Sequence, residues 1–197
     1  EPLPLAGAEL KGVLARAAYD GASGALTLDA GRFTFGGIPG TFDGRIGFDE
    51  PALVADLKFA TEPFAPRAPA ITFGHALPAT ADPTAFESLQ IALTARLADG
   101  ELTLDPVSGR LDDTNFEGQA VPGRKSVRAT LDRIDLNRYL PPAAKTAGEK
   151  KRTLEEIVAG LAELDLDAEI RVGEAKIAGA TMRDAVIRVE PDGTHTP

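Results

Sequence analysis

Between Leu89 and Leu97 the chain alternates: Leu89, Ile91, Leu93, Ala95 and Leu97 fall on one side, with Gln90, Thr94 and Arg96 between them. A period of two predicts a strand with one face turned from water, because successive side chains of an extended chain point to opposite faces. Asp99-Gly100 ends the run, and both residue types tolerate the positive φ that a tight hairpin needs. Leu102 and Leu104 then begin a return strand. The same alternation marks Phe42 to Phe48, Leu53 to Phe59, Val127 to Leu131, Leu164 to Val172 and Ala185 to Val189.

The pattern repeats on a longer scale. Leu26-Thr27-Leu28-Asp29 follows Asp20-Gly21 much as Leu102-Thr103-Leu104-Asp105 follows Asp99-Gly100. Phe42-Asp43-Gly44 answers Phe116-Glu117-Gly118, and a third copy starts before Asp192-Gly193. The repeat, of about 75 residues, divides a single β-rich region, 1–197, into units of about 1–88 and 89–172 and a truncated third, 173–197. Units of this kind stack along one direction. The expected fold is mainly β: an elongated, curved, antiparallel sheet built from repeats, with a β-sandwich as the alternative.

Two segments break the alternation. Residues 62–83 carry Pro63, Pro66, Pro69, Pro78 and Pro83, each without a ladder donor, and read as a long loop. Thr153-Leu154-Glu155-Glu156 is a capping box, and Leu154, Ile157, Val158 and Leu161 form an apolar stripe, so one short helix is expected around 153–163.

Composition agrees with many turns and few helices: 20 Gly and 15 Pro in 197 residues, with 43% hydrophobic and 26% charged residues. A formal charge of −9 has the wrong sign for holding a phosphate backbone, so nucleic acid is not an expected partner. There is no cysteine, hence no disulfide or thiol chemistry. No stretch is long and apolar enough for a membrane helix, and no leader segment is visible. The abrupt start at Glu1-Pro2 and the end just past Asp192-Gly193 are expected of a piece of a longer protein.

The acids of the 98–120 stretch (Asp99, Glu101, Asp105, Asp112, Asp113, Glu117) lack the spacing of a calcium loop. Asp99 and Asp105 fall at a turn and a strand end. Asp112-Asp113 presents two carboxylates, but neighbours on a strand face opposite ways, so a turn or edge role is expected. His75 and His195 stand far apart with no nucleophile motif around them. Gly36-Gly37 and Pro39-Gly40 read as turns, since no phosphate-loop lysine follows. Lys150-Lys151-Arg152 reads as a solvated approach to the expected helix. Neither an enzyme nor a cofactor or metal site is expected.

What remains is the apolar side of the strands, which must be buried against something: an ordinary core, or an acyl chain. Its candidate residues are Leu89, Ile91, Leu93, Leu97, Leu102, Leu104, Val127, Leu131, Leu164, Leu166, Ile170 and Val172.

Three stretches carry a family likeness: residues 77–120, residues 129–144 with Asp135-Leu136-Asn137-Arg138-Tyr139-Leu140-Pro141-Pro142, and residues 164–193. Together with Leu111-Asp112-Asp113-Thr114 they resemble the AsmA-like family of bacterial envelope proteins, from about Pro78 to Gly193. The resemblance implies a large protein anchored in the inner membrane with a β-rich periplasmic body. It implies a part in outer-membrane biogenesis, with phospholipid carried along a hydrophobic groove and other envelope proteins as partners. The alternative is a β-sandwich interaction module that binds a protein or glycan, with the 63–83 loop as the contact.

Overall fold

The computed structural model describes residues 9–48, 53–142 and 166–190. Eleven strands fill most of it: β1 (Leu10–Val13), β2 (Arg16–Asp20), β3 (Ala25–Phe35), β4 (Ile38–Gly47), β5 (Val54–Thr61), β6 (Leu89–Ala98), β7 (Glu101–Leu111), β8 (Thr114–Val121), β9 (Ser126–Asp135), β10 (Asp167–Ile177) and β11 (Ala180–Val189). They form one sheet in the order β1-β3-β4-β5-β6-β7-β8-β9-β10-β11, with β2 beside β1 on the same flank of β3. Every pair is antiparallel except β9 and β10, which are parallel.

The protein is therefore mainly β, an open and curved sheet. Among the described residues no second sheet packs on it, so the sandwich alternative is not the architecture that forms. The turn chemistry explains the hairpins. Asp99 and Gly100, at φ 52° and 76°, make the β6–β7 connection, and the positive φ at both central residues matches the strand twist. Asp20 takes a different part from the one expected: it ends β2 and accepts from the Ala22 N–H at 2.9 Å and the Ser23 hydroxyl at 2.7 Å, closing the turn from within.

The long strands do not run evenly. In β3, Leu28 and Gly31 lie three residues apart but face Gly44 and Phe42, two apart in β4. In β7, Leu104 and Val107 likewise face residues two apart, in both β6 and β8. Asp29-Ala30 and Asp105-Pro106, which follow the repeated Leu-Thr-Leu, thus each set two residues against one, a surplus of one. Ala30 sits at φ 52°. Each is a β-bulge, which bends its strand and sharpens its twist. A bulge also suits Pro106, whose ring nitrogen has no hydrogen to give a ladder. In β10 the buried positions step from Val172 to Ala175, and opposite this step Asp184 of β11 has φ 52°.

Two glycines show how closely neighbouring strands pack. A Cβ on Gly31 would run into the Phe42 ring, and one on Gly109 into the Phe116 ring and the Gln90 carbonyl. Each phenylalanine lies across the glycine directly opposite it in the register, so the missing side chain is the space the ring fills.

Two short α-helices form in the described residues. α1 (Arg67–Thr72) lies inside the expected 62–83 loop, and α2 (Leu136–Tyr139) follows β9. At six and four residues they are too short for a helical period to show. Pro66 precedes α1 with its φ already at −72°, and the Asp135 carboxylate caps α2 by accepting from Asn137 N–H at 3.0 Å. The helix expected around 153–163 lies outside the described residues.

Gly109→Ala forces the Phe116 ring or the neighbouring backbone to move. The expected cost is about 1–3 kcal/mol of unfolding free energy, read from a urea denaturation curve.

Candidate functional site

Residues paired across a ladder share a face, so the register shows what the sheet presents on each side. From β5 to β8 one side carries Leu57, Ala95, Leu104 and Ala120, then Phe59, Leu93, Val107 and Gly118. The same side continues through Val127, Ala168 and Val189, and through Leu131 and Val172, as far as β11. In the other direction it continues through Phe42 and Ile46 of β4 to Leu26 and Leu28 of β3. Phe33, Phe42 and Phe59 meet there, with ring centres 6.1 and 6.3 Å apart. This is one apolar face running from β3 to β11.

The structure brings Leu89, Ile91, Leu93, Leu97, Leu102, Leu104, Val127, Leu131, Ile170 and Val172 together on this face. Leu166 is half-buried just ahead of β10, and Leu164 lies outside the described residues. Most of the set is half-buried; Leu102 is 40% exposed, and Val172 is the one that reaches 5%. No large side chain among the described residues is completely buried. That is the pattern of a one-layer sheet, since a second layer drives central side chains close to zero exposure. The candidate list omitted the aromatic part of the face, Phe33, Phe35, Phe42 and Phe59, although Phe42 and Phe59 stand at alternating positions in the sequence.

The opposite side is polar. Arg96 pairs with Asp56 at 3.0 Å, Arg128 with Asp167 at 2.8 Å, and Glu169 with Arg171 at 2.8 Å and Arg188 at 3.1 Å. A depression of about 330 Å³ on this side is walled by Asp105, Glu117, Gln119, Arg128, Thr130, Glu169 and Arg171. Within it Glu169 is engaged with Arg171, and Arg128 reaches out to Asp167; pairs this exposed are screened by water and add little to stability.

A second feature lies at the strand ends where β7 turns into β8. Asp112, at φ 51°, occupies that turn. Its carboxylate accepts from the backbone N–H groups of Phe86 (2.9 Å), Glu87 (3.0 Å) and Ser88 (3.0 Å) and from the Tyr139 hydroxyl (2.9 Å). Partial burial pushes the Asp112 carboxyl up, but these donors outweigh it and the net shift is downward. Arg138 of α2 is the complementary hub, donating to Asp82 at 2.7 Å, to Asp113 at 2.9 Å and to the Thr84 hydroxyl at 3.2 Å. Asp82 is held down to about 2 by the Thr84 hydroxyl, then by the Thr84 N–H and by Arg138. Burial, and then the bond to Asp112, pushes the Tyr139 phenol far above its ordinary range.

The turn role expected of Asp112-Asp113 is what forms, yet the two carboxylates do more than shape a turn: they reach residues 24–27 positions away. Phe86 is the strained member of the group. Its φ of 64° costs a bulky residue about 1–3 kcal/mol, and its ring is clasped between Tyr139, 5.0 Å away, and the Arg67 guanidinium, 5.3 Å away. Periodicity gave no sign of this junction. Turn chemistry gave none either, since the partners stand 24–56 residues apart in the sequence.

Among the described residues the fold and the face together define an open β-sheet protein in a single layer, with one continuous apolar side. Comparison with protein-family models, with curated proteins and with solved structures returns no match for this chain.

The junction has a definite pH signature. A carboxyl whose folded pKa is depressed stabilises the fold above its unfolded pKa, near 3.8, and loses that contribution as pH falls through the folded value. For Asp82 that window runs from about 3.8 down to about 2. The Asp82→Asn variant is therefore expected to lose stability relative to the parent at pH 6, with the difference shrinking as pH falls through this window. Thermal melts across pH 2–6 check it.

Proposed function

We propose that this chain is a non-enzymatic segment of an AsmA-like protein at the periplasmic face of a bacterial inner membrane. In this reading it takes part in phospholipid transport and outer-membrane biogenesis. The observation that carries the reading is the unbroken apolar face from β3 to β11, which no second sheet covers among the described residues. Water against such a face is costly, at about 25 cal/mol for each Å² of apolar surface, and a fatty acyl chain relieves that cost without any directional chemistry.

The mechanism is passive. Leu93, Leu104, Val107, Phe116, Leu131 and Ile170 belong to consecutive strands, so an acyl chain lying across the strands passes from one to the next with no large change in its surroundings. Polar head groups stay at the margin of the face, in water. The curvature that the bulges impose turns a flat sheet toward a groove, and the repeat lengthens it.

A loop-based interaction module is less well supported. The 63–83 loop is tied back to the rest of its protein by the Ala81 N–H, which donates to the Leu140 carbonyl at 2.7 Å, and by Asp82, whose carboxylate accepts from Arg138 at 2.7 Å.

The protein purified from bacterial cells under native conditions is expected to carry phospholipid, visible by native mass spectrometry and by solvent extraction. Leu93→Glu places a carboxylate in the middle of the face and is expected to lower the bound lipid at least about ten-fold, since an ion among acyl chains costs several kcal/mol. A parent protein that carries no lipid, or a variant that carries as much as the parent, counts against the proposal.

A further inference from the structure

We infer that residues 62–88 form a strap across one margin of the apolar face, and that the junction centred on Arg138 and Asp112 is the latch holding it there. This goes beyond the lipid reading and does not depend on it, because the claim concerns what the strap covers, whatever ligand the face takes.

The connection is far longer than its task requires. β5 and β6 are adjacent and antiparallel, a step that two to five residues complete in a hairpin. Here the chain instead makes a detour. Phe64 first pairs with Leu89, exchanging backbone hydrogen bonds of 3.0 and 2.8 Å at the start of β6. The α1 segment then delivers Phe73 to the far end of β3, where its ring stands 5.1 Å from that of Phe35. A Cβ on Gly36, in the β3–β4 turn, would strike the Phe73 ring, which shows how tightly the strap lies against the strand ends. From there the chain doubles back to Ala85, which is 1% exposed, and to Phe86, packed against Tyr139 just beyond β9. The strap thus touches the sheet margin from β3 to β9.

Its attachment is uneven. At the β3 end Phe73 holds by ring contact with Phe35. At the other end the contacts are concentrated on a few ionised side chains: Asp112 on the N–H groups of Phe86, Glu87 and Ser88, and Arg138 on Asp82 and Thr84. The Ala81 N–H to Leu140 carbonyl bond, 2.7 Å, adds a backbone clasp beside them. Phe86 is kept at positive φ within this end, a conformation that relaxes on release. Segments held by a few polar contacts open locally while the sheet stays folded, so losing the latch frees residues 78–88 and uncovers the apolar margin beneath.

Hydrogen exchange read by mass spectrometry on the whole chain, with 8-anilinonaphthalene-1-sulfonate fluorescence as an apolar-surface probe, tests this. Arg138→Gln removes the fork between Asp82 and Asp113; Asp112→Asn keeps the shape but replaces an acceptor oxygen with an amide donor. In both variants residues 78–88 are expected to exchange roughly ten-fold faster or more, with dye fluorescence at least about doubled and β4 and β5 unchanged. Unchanged strap exchange in both variants overturns the inference. So does faster strap exchange with no gain in dye fluorescence, and so does acceleration spread over every strand, which reports general destabilisation instead of a latch.

Discussion

Register is the constraint on which everything else depends. Side chains in a sheet alternate with a strict period of two, so a slip of one residue in any strand would turn its leucines to the polar side and split the apolar face. Ten strand positions in succession avoid that slip. The bulges are the means. In Leu-Thr-Leu-Asp-Ala-Gly-Arg-Phe and in Leu-Thr-Leu-Asp-Pro-Val-Ser-Gly the apolar positions change phase after the aspartate, and in both places the strand takes up one surplus residue. Leu28 and Gly31, and likewise Leu104 and Val107, therefore stay on one side although they stand three apart. The phase change that a rigid strand could not tolerate becomes the bend that curves the sheet.

From this continuity follow the packing and the proposed chemistry. A single layer cannot bury a large side chain completely, and the described residues hold none buried to that degree. The tight contacts lie within the sheet itself, where Phe42 covers Gly31 and Phe116 covers Gly109, and at its margin, where Phe73 meets Phe35. Over the rest of the face the described residues place no second layer, and this is the feature on which the proposed lipid role rests.

The strands and the sidedness of the sheet were legible in the sequence because both are local and periodic. Leu89 to Leu97 alternates without interruption, and Asp99-Gly100 declares its own turn. The β-bulges were legible only in part: the phase change after Leu28 and Leu104 is visible, but the register that interprets it belongs to the neighbouring strand. The junction was not legible at all. Asp112 and Tyr139 stand 27 residues apart, and Arg138 and Asp82 stand 56 apart. Neither hydrophobic period nor turn chemistry encodes such pairings. α1 and α2 escaped for another reason, since a helix of one or two turns has too few residues to show a stripe.

The most direct measurement uses the period of two itself. With a photo-reactive amino acid placed singly at each position from 89 to 97, the account predicts lipid capture in cells that alternates along β6. Capture should be strong at Leu89, Ile91, Leu93, Ala95 and Leu97 and weak at Gln90, Ala92, Thr94 and Arg96. Absence of lipid capture at every position, or capture without alternation, would contradict an acyl-binding role for this face.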